Sequence, residues 1–301
     1  MICEACEEGN IDVLCRQVVP YDYRYLFLDV DSCLCGIEGI NELALMCGKK
    51  TEIVELTRKA MDGEVAFDEV FQRRLEIIRP MRRDLARISR LYIENLAPDA
   101  KETIQILQDL GVNVCLISGG YREAILPLAE YVGISERDVY ANELFFRRGR
   151  YAGFDESNPL SRNGGKREVI EKLRAANKIW GPMAIMGDAV SELETKPVVD
   201  LYIGFGGFES REVVKEQADV FLPHSSFSPI LPLIFNCQIW EILLYYPQYR
   251  KAMKRGLEVL RTAQFNYHAF RLGESLLACV KNLPQEIFEK SYPVPPVWKG
   301  Y

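Results

Sequence analysis

Tyr25-Leu26-Phe27-Leu28-Asp29-Val30-Asp31-Ser32 is an apolar run that ends abruptly in two carboxylates set two residues apart. Four apolar residues followed by a polar break fit a short, fully buried strand. Along an extended strand, side chains at i and i+2 share a face, so the pleat predicts that Asp29 and Asp31 point the same way. In an open α/β sheet the carboxyl ends of the strands are where ligands bind. Two acids brought together there need a cation between them or a shared proton. The arrangement suits a magnesium-dependent phosphate chemistry in which one carboxylate attacks and the other handles protons.

Composition bounds this reading without extending it. The chain has 301 residues, 48% hydrophobic, enough for one large domain or two smaller ones. A net charge of -6 gives no electrostatic reason to expect nucleic acid. The start, Met1-Ile2-Cys3-Glu4-Ala5-Cys6-Glu7-Glu8, has no basic segment leading into an apolar one, so no signal or transit peptide is expected. Nine cysteines in a chain of this length do not make a disulfide scaffold, and Cys115 sits in an apolar run. Reduced thiols and a cytoplasmic location are the expectation.

Other hydrolase chemistries are poorly supported. The two histidines, His224 and His268, lie near no Gly-x-Ser-x-Gly turn and no cysteine-rich run. No cysteine is followed six positions later by arginine, the spacing of a thiolate phosphatase. Cys3, Cys6 and Cys15 lack an evident fourth zinc ligand and read as free thiols in a loose arm.

Strand candidates recur at Tyr25–Val30, Val112–Ile117, Val139–Phe146, Met183–Met186, Leu201–Ile203 and Val220–Leu222. Amphipathic helices fall between them, with Ile104, Leu107 and Leu110 on one face of Ala100–Leu110, and Val169, Ile170 and Leu173 on one face of Lys166–Asn177. Such alternation predicts a doubly wound parallel sheet. From Glu38 to Leu96 the periodicity is helical throughout, which predicts a cap above the end of the first strand. The predicted organisation is an N-terminal arm over 1–20, an α/β core over 21–37 and 97–224, a helical cap over 38–96, and a C-terminal helical extension over 225–301.

Three further stretches bear on chemistry. Leu116-Ile117-Ser118-Gly119-Gly120 ends a strand with a hydroxyl and two small residues, which lets backbone amides approach an anion. Gly164-Gly165-Lys166 opens a helix with a lysine placed to neutralise phosphate oxygens. Ala184-Ile185-Met186-Gly187-Asp188 ends another strand in a third carboxylate, and Glu192 follows. Each alone is weak, since glycine pairs are usually turns and strand-end acids are often solvated. Their order, two acids, serine, lysine and acid, is much stronger.

On these residues the sequence resembles the phosphoserine phosphatases of the haloacid dehalogenase superfamily over roughly Tyr25 to Leu222. Glu38-Gly39-Ile40-Asn41-Glu42-Leu43-Ala44, Tyr151-Ala152-Gly153-Phe154-Asp155 and Ile203-Gly204-Phe205-Gly206-Gly207 add to the match. The resemblance implies a Rossmann-like core with an inserted helical cap, and hydrolysis of O-phospho-L-serine through an aspartyl phosphate. It implies Asp29 as nucleophile, Asp31 as acid and base, and Ser118 and Lys166 on the phosphate oxygens. Magnesium would be held by Asp29, Asp188 and the main-chain carbonyl of Asp31, with Glu192 beside them. For the amino-acid end it implies Glu38 on the ammonium and Arg74 on the carboxylate, with Met61, Phe67, Gly119 and Arg211 also at the pocket. Without the resemblance, Glu38 and Arg74 would read as surface charges and Met61 and Phe67 as core.

The chain departs from that pattern. Gly187-Asp188-Ala189-Val190-Ser191-Glu192 has Ala where the family has Gly and Glu where it has Asp, and Cys33 stands at a threonine-like position. Ala189 is tolerable only if φ there is negative. The same mechanism on another small phosphorylated amino acid or metabolite is one alternative. A non-catalytic phosphoserine-binding homologue is the other.

The stretch beyond Ser225 has no counterpart in the resemblance. Leu231–Tyr246 is apolar but too short to span a bilayer, for which ~20 residues are needed. Tyr249, Met253, Leu257 and Leu260, then Phe265, Ala269, Leu272, Leu276 and Cys279, repeat at helical spacing. A helical appendage packed on the core, or a homodimer interface, is expected. The tail Tyr292–Trp298, with three prolines, reads as extended.

Overall fold

The computed structural model describes residues 23–61 and 64–283, without the side chains of Met61, Phe67, Gln238, His268 and Asn282. The arm with Cys3, Cys6 and Cys15 and the Tyr292–Trp298 tail lie outside the described residues. Strand β1 (Tyr25–Leu28) lies inside a seven-stranded sheet. Its neighbours are β2 (Asn113–Tyr121), which continues to β3 (Val139–Asn142), and β6 (Met183–Gly187), which continues to β7 (Leu201–Phe205), β8 (Val220–Leu222) and β9 (Gln264–Phe265). All pairings are parallel except β8 with β9. A hairpin of β4 (Leu144–Arg147) and β5 (Arg150–Phe154) forms a separate two-stranded sheet.

Leu26, Phe27 and Leu28 are fully buried, and they alternate between two hydrophobic clusters, Leu26 and Leu28 in one and Phe27 in the other. That is what helices on both faces of a parallel sheet demand of its central strand. One consequence decides the position of the site. The chain leaves β1 for β2 on one side and comes back to β6 on the other, so the order reverses between β1 and β6. Ligands bind at such a switch point, outside the carboxyl ends of the strands.

Between β1 and β2 lie α1 (Gly39–Met46), α2 (Lys50–Met61), α3 (Phe67–Ile78), α4 (Arg82–Glu94) and α5 (Ala100–Asp109). Helix α4 buries Leu85, Ile88, Ser89 and Tyr92 at helical spacing. The segments that lead into and out of these first four helices pair with each other. Gly36 N donates to Asn95 O at 2.9 Å and Ala97 N to Leu34 O at 3.0 Å.

Helices α6 (Arg122–Val132), α7 (Gly165–Ala175), α8 (Val190–Leu193) and α9 (Glu212–Gln217) follow in the core. The apolar run Leu231–Tyr246 is broken into α10 (Ile230–Ile234) and α11 (Cys237–Tyr245), followed by α12 (Pro247–Leu260) and α13 (Phe270–Asn282). These helices pack on the sheet, with Leu231, Trp240, Met253 and Leu257 in the same buried cluster as Leu26 and Leu28. A polar clamp fixes the attachment. Asp99, at the start of α5, accepts from Ser226 Oγ at 2.5 Å, Phe227 N at 2.6 Å and Arg255 Nη1 at 3.1 Å. Strand β9 covers the edge of β8, which would otherwise offer unpaired backbone groups. Among the described residues no helix is long and apolar enough to cross a membrane.

Two sequence expectations need correction. The run Val139–Phe146 is not one strand: it divides at Glu143 into β3 and β4, which belong to different sheets. The first strand stops at Leu28, so Asp29 and Asp31 lie in a turn in which Leu34 N reaches Asp29 O at 3.3 Å and Cys35 N reaches Val30 O at 2.9 Å. Their convergence comes from that turn rather than from the pleat.

Candidate active site

The turn after β1 is held under tension. Ser32 has φ of 54°, a region that non-glycine residues rarely enter. It is held there by Ser32 N donating to Ile37 O and Ser32 Oγ donating to Glu38 Oε1 at 2.8 Å. The result places Asp29 and Asp31 on one cavity of about 260 Å³, shared with Glu38, Arg74, Ser118, Gly119 and Lys166.

Helix α7 delivers Lys166. A Cβ at Gly165 would lie 2.0 Å from the carbonyl oxygen of Pro159, so only glycine lets the first turn of α7 pack so closely there. Lys166 Nζ is then 2.7 Å from Asp29 Oδ1 and also bonds Glu192 Oε1. All three side chains are buried, which makes the lysine their common counter-charge. Burial pushes the Asp29 carboxyl up to about 7 against the pull of Lys166, and Glu192 adds to the rise. Burial alone would depress the ammonium, yet the two carboxylates outweigh it and raise Lys166 above its ordinary value.

Asp188 directly follows β6, across the switch point from Asp29. Carboxylate oxygens of Asp29, Asp188 and Glu192 lie within 4.8 Å of one another, and all three are buried. Asp188 Oδ2 has Arg211 Nη2 at 3.2 Å as a charge contact but receives no well-directed hydrogen bond among the described residues. Burial lifts Asp188 well above the carboxylate range, with Arg211 opposing. Three buried acids with an all-oxygen donor set fit a hard divalent cation. The side chain of Asp31 is not part of that trio.

Glu192 reaches this position because Ala189 needs no left-handed backbone. Its φ is -126°, so the alanine that replaces the glycine of the related pattern is unstrained. Ala189 N donates to Glu192 Oε2 at 2.9 Å, while the extra methylene carries Oε1 to Lys166 and to Ser191 Oγ at 2.6 Å.

The remaining predicted residues divide. Ser118 Oγ accepts from Gly120 N at 2.9 Å and donates to Asp31 Oδ2 at 3.4 Å. Glu38 is pushed up to about 8, chiefly by burial and then by Asp31. Arg74 is buried on α3, gives Nη1 to Thr57 Oγ1 at 3.1 Å, and burial draws its guanidinium down. Arg211 does not line the cavity; it sits on Asp188 and on Glu209 at 3.1 Å. The side chains of Met61 and Phe67 lie outside what the structure describes.

Sequence reasoning missed several neighbours. Tyr92 donates to Asp31 Oδ1 at 2.7 Å. Asn142 Nδ2 binds the carbonyls of Gly119 and Leu160 at 2.9 and 3.0 Å, which steadies the Ser118 turn. Glu194 Oε2 accepts from Gly164 N at 2.8 Å and so fixes the start of α7. Glu194 lies two residues past Glu192 and so carried a positional signal, whereas Asn142 fell inside the predicted strand Val139–Phe146 and closes only the observed β3. Tyr92 carried none, because its spacing reads as core.

A buried carboxylate, a second acid, a lysine and a buried acidic trio at a switch point are the site of a phosphoric monoester hydrolase of the capped α/β class. The chain belongs to the haloacid dehalogenase-like hydrolases, whose family model matches residues 23–177. It is 38% identical over 203 residues to the phosphoserine phosphatase of Homo sapiens, covering 67% of this chain and 90% of that protein. It is also 38% identical over 195 residues to the phosphoserine phosphatase of Bos taurus, with 64% and 86% covered. A solved structure of a substrate-bound phosphoserine phosphatase complex superposes with a TM-score of 0.63 at 25% identity, covering 71% of this chain and 100% of that one.

Proposed function

We propose that the chain hydrolyses O-phospho-L-serine to serine and phosphate. One observation carries the substrate: Glu38 and Arg74, a half-buried carboxylate and a buried guanidinium, line the same cavity as Asp29, Ser118 and Lys166. Opposite charges on a cap above a phosphate site match a zwitterionic amino acid, with Arg74 suited to a carboxylate and Glu38 to an ammonium. The similarity to named phosphoserine phosphatases supports the same reading.

In this reading an Asp29 oxygen attacks phosphorus and the bond to the serine oxygen breaks, giving an aspartyl phosphate. Asp31 gives its proton to the departing serine oxygen, then takes one from the water that cleaves the intermediate. Ser118 and Lys166 hold the non-bridging oxygens and offset their charge. Asp29, Asp188 and the Asp31 carbonyl would hold magnesium, with Glu192 beside them, and the ion when bound supplies charge stabilisation to the phosphoryl oxygens. The first four helices, within 38–96, form the cap that closes over the cavity, and the C-terminal helices are the surface through which a homodimer would form.

The test is phosphate release from a panel of small phosphomonoesters, with magnesium and with a chelator. Turnover of phosphoserine above the others, lost with chelation, is expected. Turnover of a different ester alone sinks the substrate and leaves the mechanism. No turnover at all sinks both. Asp29→Asn should bind phosphoserine, keep its fold and release no phosphate.

A further inference from the structure

Tyr92 lies on α4, three residues before Asn95, whose carbonyl joins the exit from the cap helices to Gly36. It is buried, and its hydroxyl donates to Asp31 Oδ1 at 2.7 Å. The amide of Gly39 reaches the same oxygen at 2.6 Å. A Cβ at residue 39 would stand 2.3 Å from the Tyr92 hydroxyl, so a glycine there is what lets the two donors converge. The other oxygen, Oδ2, faces Ser118 Oγ at 3.4 Å and the side of the cavity where Gly120 lies.

This division matters for any step in which Asp31 moves a proton. An oxygen that already accepts from two donors has no free lone pair aimed at the substrate, and a proton placed on it would face both donor hydrogens. Among the described residues Oδ2 carries only the long contact from Ser118. A carboxyl also rotates freely about χ2 unless something outside it holds one oxygen.

We propose that Tyr92 is a positioning residue for the proton-handling step. With the Gly39 amide it fixes Asp31 Oδ1, sets the carboxyl plane and leaves Oδ2 as the oxygen that exchanges protons. As the phosphorus–oxygen bond breaks, its electron pair passes to the serine oxygen and the Oδ2 proton follows. In the second half Oδ2 takes a proton from water as the water oxygen bonds phosphorus and the Asp29 oxygen leaves. The inference rests on the reading of Asp31 as the acid and base, and extends it to a residue in the cap.

Tyr92→Phe removes the hydroxyl and keeps the ring that packs in the core. For phosphoserine the variant should lose roughly tenfold in kcat, the order expected for one hydrogen bond to a charged group, with KM within about twofold. For p-nitrophenyl phosphate the leaving phenolate needs no proton, so the pre-steady-state burst of nitrophenolate should keep its wild-type rate. A folding defect would scale both substrates alike, so the ratio between them reads the proton step. Equal losses on the two substrates, a loss confined to KM, or an unchanged kcat on phosphoserine overturns the role of Tyr92 while wild-type turnover leaves the acid–base reading standing. A wild-type protein that turns over neither ester overturns both.

Discussion

Lys166 Nζ lies 2.7 Å from Asp29 Oδ1 and bonds Glu192 Oε1 from the other side, so one ammonium serves two buried carboxylates. Removing it therefore has two consequences. Lys166→Met should cut phosphate release by a factor of about 10²–10³, the order seen when one charge-stabilising group is lost. It also leaves Asp29 and Glu192 without their shared counter-charge, a penalty of about 3–5 kcal/mol when a buried pair is broken. Asp29, already raised to about 7 against the pull of Lys166, would then hold its proton still more tightly folded than unfolded, so stability is lost as pH rises. Denaturant melts of the variant should show a smaller deficit at pH 5 than at pH 8, and a pH-independent deficit would contradict the shared-charge account.

Glu38 supplies a pH dependence. Burial, with Asp31 adding to it, raises its carboxyl from an ordinary 4.5 to about 8. The folded protein thus favours the neutral acid, and this group's contribution to stability is complete below about 4.5 and declines as pH rises through about 8. An ammonium at Glu38 requires the carboxylate. KM for phosphoserine should fall as pH is raised towards about 8 and level off above it, while an analogue with hydrogen in place of the amino group shows no such trend. Glu38→Gln should abolish the difference between the two substrates' profiles.

Glu192 tests the cation site. Its carboxylate completes the trio with Asp29 and Asp188, and Ala189 N and Ser191 Oγ hold it in place. Glu192→Ala should weaken magnesium binding by roughly 10- to 100-fold, the usual cost of losing a carboxylate at or next to a metal shell. Thermal melts across a magnesium series read this without any turnover, since an ion that binds only the folded state raises the melting temperature. A wild-type melting temperature that ignores magnesium would remove the site.

The sheet and the polar residues at its carboxyl ends were legible because they rest on short-range chemistry: an apolar run, then a polar break, at β1, β2 and β6. The convergence of Asp29, Ser118, Lys166 and Asp188 followed from topology once those strands were parallel. What failed has a local cause. Val139–Phe146 looked continuous because Asn142 and Glu143 make a polar break of only two residues, yet Arg148 and Gly149 both take positive φ, 51° and 75°, and turn β4 back on β5. An X-Gly pair between apolar runs is a hairpin signal that could have been read. Tyr92 could not, since it lies 61 residues from Asp31 and one hydroxyl separates a core aromatic from a partner of the acid.

Asp99 is the final case, and it concerns the C-terminal helices. Its carboxylate does not cap its own helix but crosses to Ser226 Oγ, Phe227 N and Ser228 N, with Arg255 supplying the charge. Asp99→Ala strands three donors and leaves the largely buried Arg255 with only the longer contact to Glu102 at 3.5 Å, so a loss of about 3–5 kcal/mol is expected in denaturant unfolding. Asp99→Asn keeps an acceptor for Phe227 N but not the counter-charge for Arg255, and should lose less. Asp99 does not line the cavity, so turnover per folded molecule should be retained in both variants. If Asp99→Ala costs under about 1 kcal/mol, the clamp is incidental and the apolar contacts of Trp240, Met253 and Leu257 alone hold these helices to the sheet.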